Sequence, residues 1–566
     1  MKKHLLTAAA IGCLLAGCTS VNKLALADDT AAEPVDFEAR GELMYQMLVA
    51  EMAGRRGRVD LAMDGYLKAS RSIDDPRLAE RAARLAVYAK AWDSAREAGE
   101  RWAELEPDNI NAHRLLVGVY LKLEDVKATA DTYETILALT NQPFDVGAAS
   151  VLTSLAREPH LPLAVKVAQE LSGRHPKSVM GHFLVARLAG AAGQNKIALA
   201  EYDRTIALKP EMGRANLYRA QLKSSMGNTN EGLNELHAYL KRNPDDVLSQ
   251  LGLARLLIDV GRHAEAEAQS NMLYQRYPDR GDVMFDIGLM AVDSKRFEVA
   301  QVYLQRAVEL EYKASDAHYF VGRVAQTRRD FALAISSYDQ VGEGQYQLDA
   351  GIRAAELSTL KDGLDVGLGR LAKLGGSFSS EDAAQRLALA ESNILQSAGD
   401  DQQALDVLNR ALDAQPHDVD LRYARGLAAE RAGDKLLFEA DMRELVKLDS
   451  GNAHAMNALG YSLVVEGERL DEAQELIEAA HAIKPEDPAI IDSLGWLYFK
   501  LGDYEASVKH LRRAFSLLDD PEIAAHLSEV LWLSGQREEA QSVLEAALDA
   551  APDDERLREV QQKLKP

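Results

Sequence analysis

The chain has 566 residues, 47% of them apolar, and sets 88 Asp plus Glu against 65 Lys plus Arg for a formal charge of −23. That apolar content excludes a disordered chain. The negative charge repels phosphate backbones and anionic head groups, which argues against nucleic acid as a partner.

Residues 1–17 read as a signal peptide: Met1-Lys2-Lys3-His4 is a basic start, and an apolar run from Leu5 to Ala16 follows. The run is shorter than the roughly 20 residues needed to span a bilayer. Both cysteines, Cys13 and Cys18, lie at this end. Leu15-Ala16-Gly17-Cys18 resembles the lipobox of bacterial lipoproteins. The resemblance implies cleavage between Gly17 and Cys18, S-acylation of Cys18 and N-acylation of the new terminus. An ordinary signal peptide with an incidental cysteine is the plainer alternative. On the lipobox reading Cys13 leaves with the signal and Cys18 becomes a thioether, so no thiol remains for a disulfide. More than one acyl chain gives lasting attachment. Thr19, rather than Asp, follows the cysteine, which by the same resemblance implies sorting to the outer membrane, facing the periplasm.

Residues 18–38 are small and polar and read as a lipidated tether, with a root-mean-square span on the order of 25 Å. Helical periodicity then continues nearly to the end without strand alternation. A period close to 34 residues is visible in Pro176, Pro210, Pro244 and Pro278, in the small residues Ala198, Gly232, Ala266, Ala300 and Ala334, and in Gly193, Gly227 and Gly261. The glycines resume at Gly399, Gly433, Gly467, Gly502 and Gly535. Each class has a physical task. Glycine closes a first helix in a left-handed cap, the small residue lets a second helix approach the first, and proline ends the second. The unit is a helical hairpin, repeated.

The pattern resembles the tetratricopeptide repeat. Leu494-Gly495, Tyr498, Gly502, Leu511 and Ala514 fit its consensus, with Ser507 replacing an alanine. Leu459-Gly460, Gly467, Ala473, Ala480 and Pro485 fit it with one residue inserted near Arg469, and Leu527, Gly535, Ala540, Ala547 and Pro552 fit it again. Phe438 departs by filling a small-residue position. The resemblance implies an all-α fold, a right-handed α-solenoid superhelix with a long inner groove. Its parts would be an N-terminal array over 39–340, an irregular repeat or seam over 341–380, and a C-terminal array over 381–566. About fifteen units of this period fit.

Motifs of chemistry are scarce. HExxH and GxSxG are absent, the thirteen histidines are scattered, and GAAGQNK at 190–196 lacks phosphate-loop spacing. His454, His481, His510 and His526 read as groove-facing or surface residues rather than ligands. Asp519-Asp520 and Asp553-Asp554 fall where they would cap the next helix. No cofactor, metal or catalytic residue is expected, and the chain reads as a non-enzyme. Binding residues are a better prospect. By resemblance to the family, ligands lie against positions two, five, nine and twelve of each first helix, which selects His454, Asn457, Tyr461 and Val464. The same positions select Ala489, Asp492, Trp496 and Phe499, then Ala525, Glu529 and Trp532. Tyr461, Trp496, Phe499 and Trp532, with Asn457 and Asp492, would share one wall as anchors for a peptide or partner helix. The competing reading has the aromatics packing between neighbouring first helices or against a terminal cap. GRRGR at 54–58, with Arg77, Arg81 and Arg84, is a basic cluster that could dock an acidic partner or wall polymer, or simply be a solvated face.

LMYQMLVAEMAGRRGRVDLAMDGYLKAS at 43–70, after the lipobox, together with NALGYSL and DSLGWLYFKLGDYEAS near the end, resembles the long repeat lipoproteins of gamma-proteobacteria, the LbcA type in particular. That resemblance implies a partnership with a periplasmic carboxyl-terminal processing protease and presentation of peptidoglycan hydrolases to it. A scaffold or assembly factor for a secretin, pilus or polysaccharide exporter is the alternative.

Overall fold

The computed structural model describes residues 37–564 apart from Glu468. The expected signal peptide, the expected cleavage and lipidation site at Gly17–Cys18, and the expected tether up to residue 36 lie outside the described residues.

Among the described residues there are thirty-one helices and no strand. In sequence they fall into fifteen pairs followed by a closing helix, Glu555–Lys563. The architecture is an all-α solenoid of helical hairpins. Two compact units are formed, one up to Leu253 and the other from Ala254.

Local chemistry explains the hairpins. In the first unit the turn between paired helices holds a positive-φ residue at Gly57, Lys90, Glu124, Gly193 and Gly227. The second unit continues with Gly261, Lys295, Arg329, Gly363, Gly399, Gly433, Gly467, Gly502 and Gly535. The glycine series that lapses in the sequence between Gly261 and Gly399 is thus continuous in the backbone, with Lys295 at φ 56° and Arg329 at φ 60° in glycine's place. Small residues do the close packing. A Cβ at Gly232 would lie 2.6 Å from the Ala220 carbonyl oxygen on the facing helix, so only glycine fits there. Ala198, Ala300, Ala473 and Ser507 are fully buried at the equivalent positions. At Phe438 the bulk is exchanged across the hairpin, for this buried ring clusters with Ala428 and Ala429 of the helix Val419–Arg431.

The prolines have a second task beyond ending helices. In the first unit a side chain six residues later donates to four proline carbonyls: His113 to Pro107 at 2.8 Å, His182 to Pro176 at 3.1 Å, Asn216 to Pro210 at 3.2 Å and Gln250 to Pro244 at 2.5 Å. In the second unit Arg422 and Arg558 do the same to Pro416 and Pro552, at 2.6 and 2.9 Å. Each bond satisfies a loop carbonyl and fixes the entry to the next first helix.

The stretch 341–380 lies within the second unit. Its blurred register has a local cause. The helix Phe331–Tyr338 is only 8 residues long, an irregular segment follows to Tyr346, and Gly363 alone joins the helices Gln347–Asp362 and Leu364–Gly375. At the C-terminal end the array is covered: Leu557, Val560 and Leu564 are buried against Ala524, Ala525 and Ala547.

Candidate partner-binding face

The face is built from the first helices of three successive hairpins in the second unit, Ala453–Glu466, Pro488–Lys500 and Pro521–Leu533. An Asp-Pro pair starts the last two alike. Asp487 accepts from the Ala489 and Ile490 amides, Asp520 accepts from the Glu522 amide, and the proline supplies a preset φ at the first helical position. Asp554 caps the closing helix through the Arg556 and Leu557 amides. These caps account for the acidic pairs at unit ends.

Side chains then converge from different hairpins. The Tyr461 hydroxyl donates to Glu522 at 2.9 Å, two hairpins further on, and lies 3.4 Å from His526 Nε2. Such a reach requires the first helices to line the inner side of a curve. His526 Nδ1 donates to both carboxylate oxygens of Asp492, at 3.0 and 3.1 Å. The other oxygen of Glu522 accepts from Arg556 at 2.8 Å. A polar chain therefore runs Asp492–His526–Tyr461–Glu522–Arg556.

The aromatic residues sit against it. Trp496 stacks on the His526 ring with centroids 4.1 Å apart, and Phe499 lies 4.8 Å from Trp496. The Lys500 ammonium stands 5.1 Å over Trp496 and 5.8 Å over Phe499. Trp532 lies under the Arg537 guanidinium at 5.1 Å.

Burial separates these residues by role. Trp496 is only 9% exposed and Asp492 5%, so Trp496 packs between first helices rather than projecting. Tyr461, Phe499 and Trp532 are half-buried and keep part of their rings in solvent. Asn457 is half-buried too, and its Oδ1 atom is buried without a hydrogen-bond partner among the described residues. Val464 and Ala525 are buried, Glu529 pairs with Lys563 at 3.2 Å, and Ala489 is exposed. Of the other histidines, His454 is exposed beside Lys484, and His481 and His510 face each other edge to face.

The electrostatics are those of a confined acidic wall. Burial pushes the Asp492 carboxyl up, against the opposing pull of His526. Burial and the neighbouring Glu522 carboxylate push the Tyr461 hydroxyl far above its ordinary range. Glu430, on the helix Val419–Arg431, is open to solvent, yet desolvation by the surrounding protein raises its carboxyl, with Glu522 adding to the effect. An accessible carboxylate ringed by protein is what an inward-facing wall produces.

Sequence reasoning named Tyr461, Asp492, Trp496 and Phe499, and the fold brings these four together. His526 is read from the sequence only as a groove-facing or surface residue, and Glu522 and Arg556 are not selected. Glu522 stands at position two of its helix, so the same rule could have found it. His526 is one place off the rule, and Arg556 belongs to the closing helix.

Elsewhere, the first unit has an open cavity of 530 Å³ lined in part by Gln169, Ser172, Val185, His182, Glu201 and Arg204. Its charged groups already serve each other: His182 Nδ1 is 2.6 Å from Glu201, which also meets Arg204. Among the described residues no group of three or more His, Cys, Asp or Glu is placed to hold a metal ion. No described helix is long and apolar enough to cross a membrane.

Stacked hairpins presenting a side-chain-lined inner wall define a repeat scaffold of the protein-interaction class. The tetratricopeptide repeat pattern matches residues 220–280, 285–347 and 389–453, and again 490–517 and 521–554. The chain is 32% identical over 514 residues to the TPR repeat-containing protein PA4667 of Pseudomonas aeruginosa, covering 88% of this chain and 84% of that one. It belongs to the tetratricopeptide repeat proteins. A shorter match, 26% over 130 residues, joins 23% of this chain to 13% of the bacteriophage adsorption protein A of Escherichia coli. Among solved structures, a thermophilic tetratricopeptide repeat protein of Thermus thermophilus is 24% identical, with 32% of this chain and 95% of that chain covered and a TM-score of 0.28.

Proposed function

We propose that the chain is a non-enzymatic, lipid-anchored adaptor of the outer membrane that faces the periplasm and holds protein partners against the inner wall of its repeats. Repeats of this kind are typically non-catalytic interaction scaffolds, and the repeat class by itself leaves the partners open. The observation that carries the reading is that Tyr461, Phe499 and Trp532, from three successive first helices, pack half-buried against one cluster, with the acidic residue Glu522 held by the Tyr461 hydroxyl. Aromatic side chains with a rigid backing and part of the ring still wet are suited to anchoring a partner. Cys18 would carry the lipid after cleavage at Gly17. Tethering would raise the effective concentration of bound proteins near the cell wall. The resemblance to LbcA-type lipoproteins supports a particular pairing, a carboxyl-terminal processing protease with peptidoglycan hydrolases as its substrates. In that pairing this chain contributes positioning and no catalytic residue.

The pairing is tested by adding the purified chain to such a protease and following turnover of a wall hydrolase. Faster turnover that needs the chain supports it. Unchanged turnover, or capture of secretin or pilus subunits from a solubilised envelope in place of the protease, contradicts it.

A further inference from the structure

The opening helix, Phe37–Arg55, leaves a row of large apolar side chains uncovered. Met44, Tyr45, Leu48, Val49 and Met52 recur at helical spacing and are 67, 62, 61, 39 and 53% exposed, and Leu61 on the next helix adds 45%. No other stretch of this length among the described residues exposes as many large apolar side chains. The opposite side of the helix is well packed: Ala50 is buried in a cluster with Tyr66 and Leu67, and Met47 packs against it. Among the described residues the last hairpin is covered by the closing helix, whereas no described residue covers this face of the opening helix, a face of the kind that an interior repeat buries against its predecessor.

Charge singles out the same end. Of the basic cluster noted in the sequence, Arg58 pairs with Asp60 at 3.0 Å, Arg77 with Asp75 at 2.6 Å, Arg81 with Glu51 at 2.9 Å and Arg84 with Glu80 at 2.8 Å. Arg55 and Arg56, at the end of the apolar row, are exposed and form no ion pair among the described residues. In a chain of net charge −23, they offer a local positive site beside an apolar face. Together these are the features of a helix that lies in a membrane interface.

We propose that this face docks on the surface of an anionic lipid bilayer, with the apolar row at the boundary of acyl chains and head groups and Arg55 and Arg56 among the lipid phosphates. The choice of a bilayer over a protein rests on the lipid-anchor reading: Cys18 precedes Phe37 by nineteen positions, so the tether would hold this helix within about 25 Å of the membrane. At that range a weak interfacial affinity suffices. The acidic remainder of the chain is repelled by the same surface, which confines docking to this end.

The test uses residues 18–566 with Cys18→Ser, so that no lipid can be attached, and vesicles of phosphatidylethanolamine and phosphatidylglycerol at about three to one. This unlipidated chain should sediment with the vesicles. Leu48→Ser with Met52→Ser should lower the bound fraction at least tenfold at unchanged melting temperature, since both side chains are exposed. Arg55→Glu with Arg56→Glu should weaken binding to these vesicles and leave the weaker binding to neutral phosphatidylcholine vesicles unaltered. An unlipidated chain that stays in the supernatant overturns the proposal. So does one that forms a dimer dispersed by the Leu48/Met52 substitutions, because a second copy then covers the face. Labelling of the unaltered protein with radioactive palmitate reports separately on Cys18, so failure of the anchor and failure of the docking face are told apart.

Discussion

Lys90, Glu124, Lys295 and Arg329 hold a backbone conformation that an L side chain adopts only at a cost of about 1 kcal/mol or more. Replacing any of them by glycine should raise stability to urea by about 0.5 kcal/mol, because relief of that strain outweighs the added freedom of the unfolded chain. These positions also explain why the glycine ladder was only partly legible. Glycine marks a left-handed turn in a sequence, but packing of the hairpin can impose the same turn on lysine or arginine, and then nothing marks it. Arg469, the inserted residue, is a further case. At φ 51° it forks onto Glu439 through two hydrogen bonds of 2.6 and 3.0 Å. Arg469, with help from Arg443, holds the Glu439 carboxyl down at about 2, against an ordinary 4.5. A depressed carboxyl contributes stability above its unfolded pKa and loses it as pH falls through the folded one. Glu439→Gln should therefore be less stable than the parent at pH 7, by no more than about 1 kcal/mol because the pair is partly solvated. The gap should close between pH 4.5 and about 2, which thermal melts across that range would measure.

At the scale of the helix, the close approach within each hairpin is the feature that sequence conveyed best. Gly495 shows why: a Cβ there would stand 2.7 Å from Leu511 Cγ and 3.2 Å from the Leu511 amide nitrogen. Since backbone blocks relaxation, Gly495→Ala should destabilise by about 1–3 kcal/mol, read as a lower urea midpoint with unchanged slope. The proline-carbonyl ties were illegible for the opposite reason. His, Asn, Gln and Arg all serve as the donor, so no residue type repeats at that position even though the bond does. Between residues 339 and 346 the sequence pattern failed because the helix itself is cut short. A shortened helix shifts the register of everything after it without altering the kind of residues used.

Across the whole molecule, the all-α class and a count near fifteen helix pairs among the described residues followed from the 34-residue period, whereas the roles within the face did not. Trp496 and Phe499 share one helix and one stretch of sequence, and only packing separates them. Trp496 is stacked between Phe499 and His526, so Trp496→Ala should lower the melting temperature through a loss of about 3–5 kcal/mol. Phe499 and Trp532 retain solvent-facing ring surface, and their truncation should act on partners instead. His526 was hidden because its significance lies in reaching Asp492 and Tyr461 on two other helices, a relation that no linear spacing records. The most direct measurement is a capture experiment from solubilised envelopes, comparing the unaltered chain with Phe499→Ala/Trp532→Ala at equal melting temperature. The adaptor reading predicts that the unaltered chain retains a defined set of envelope proteins and that the double variant loses them. Retention of the same set by both chains would contradict it.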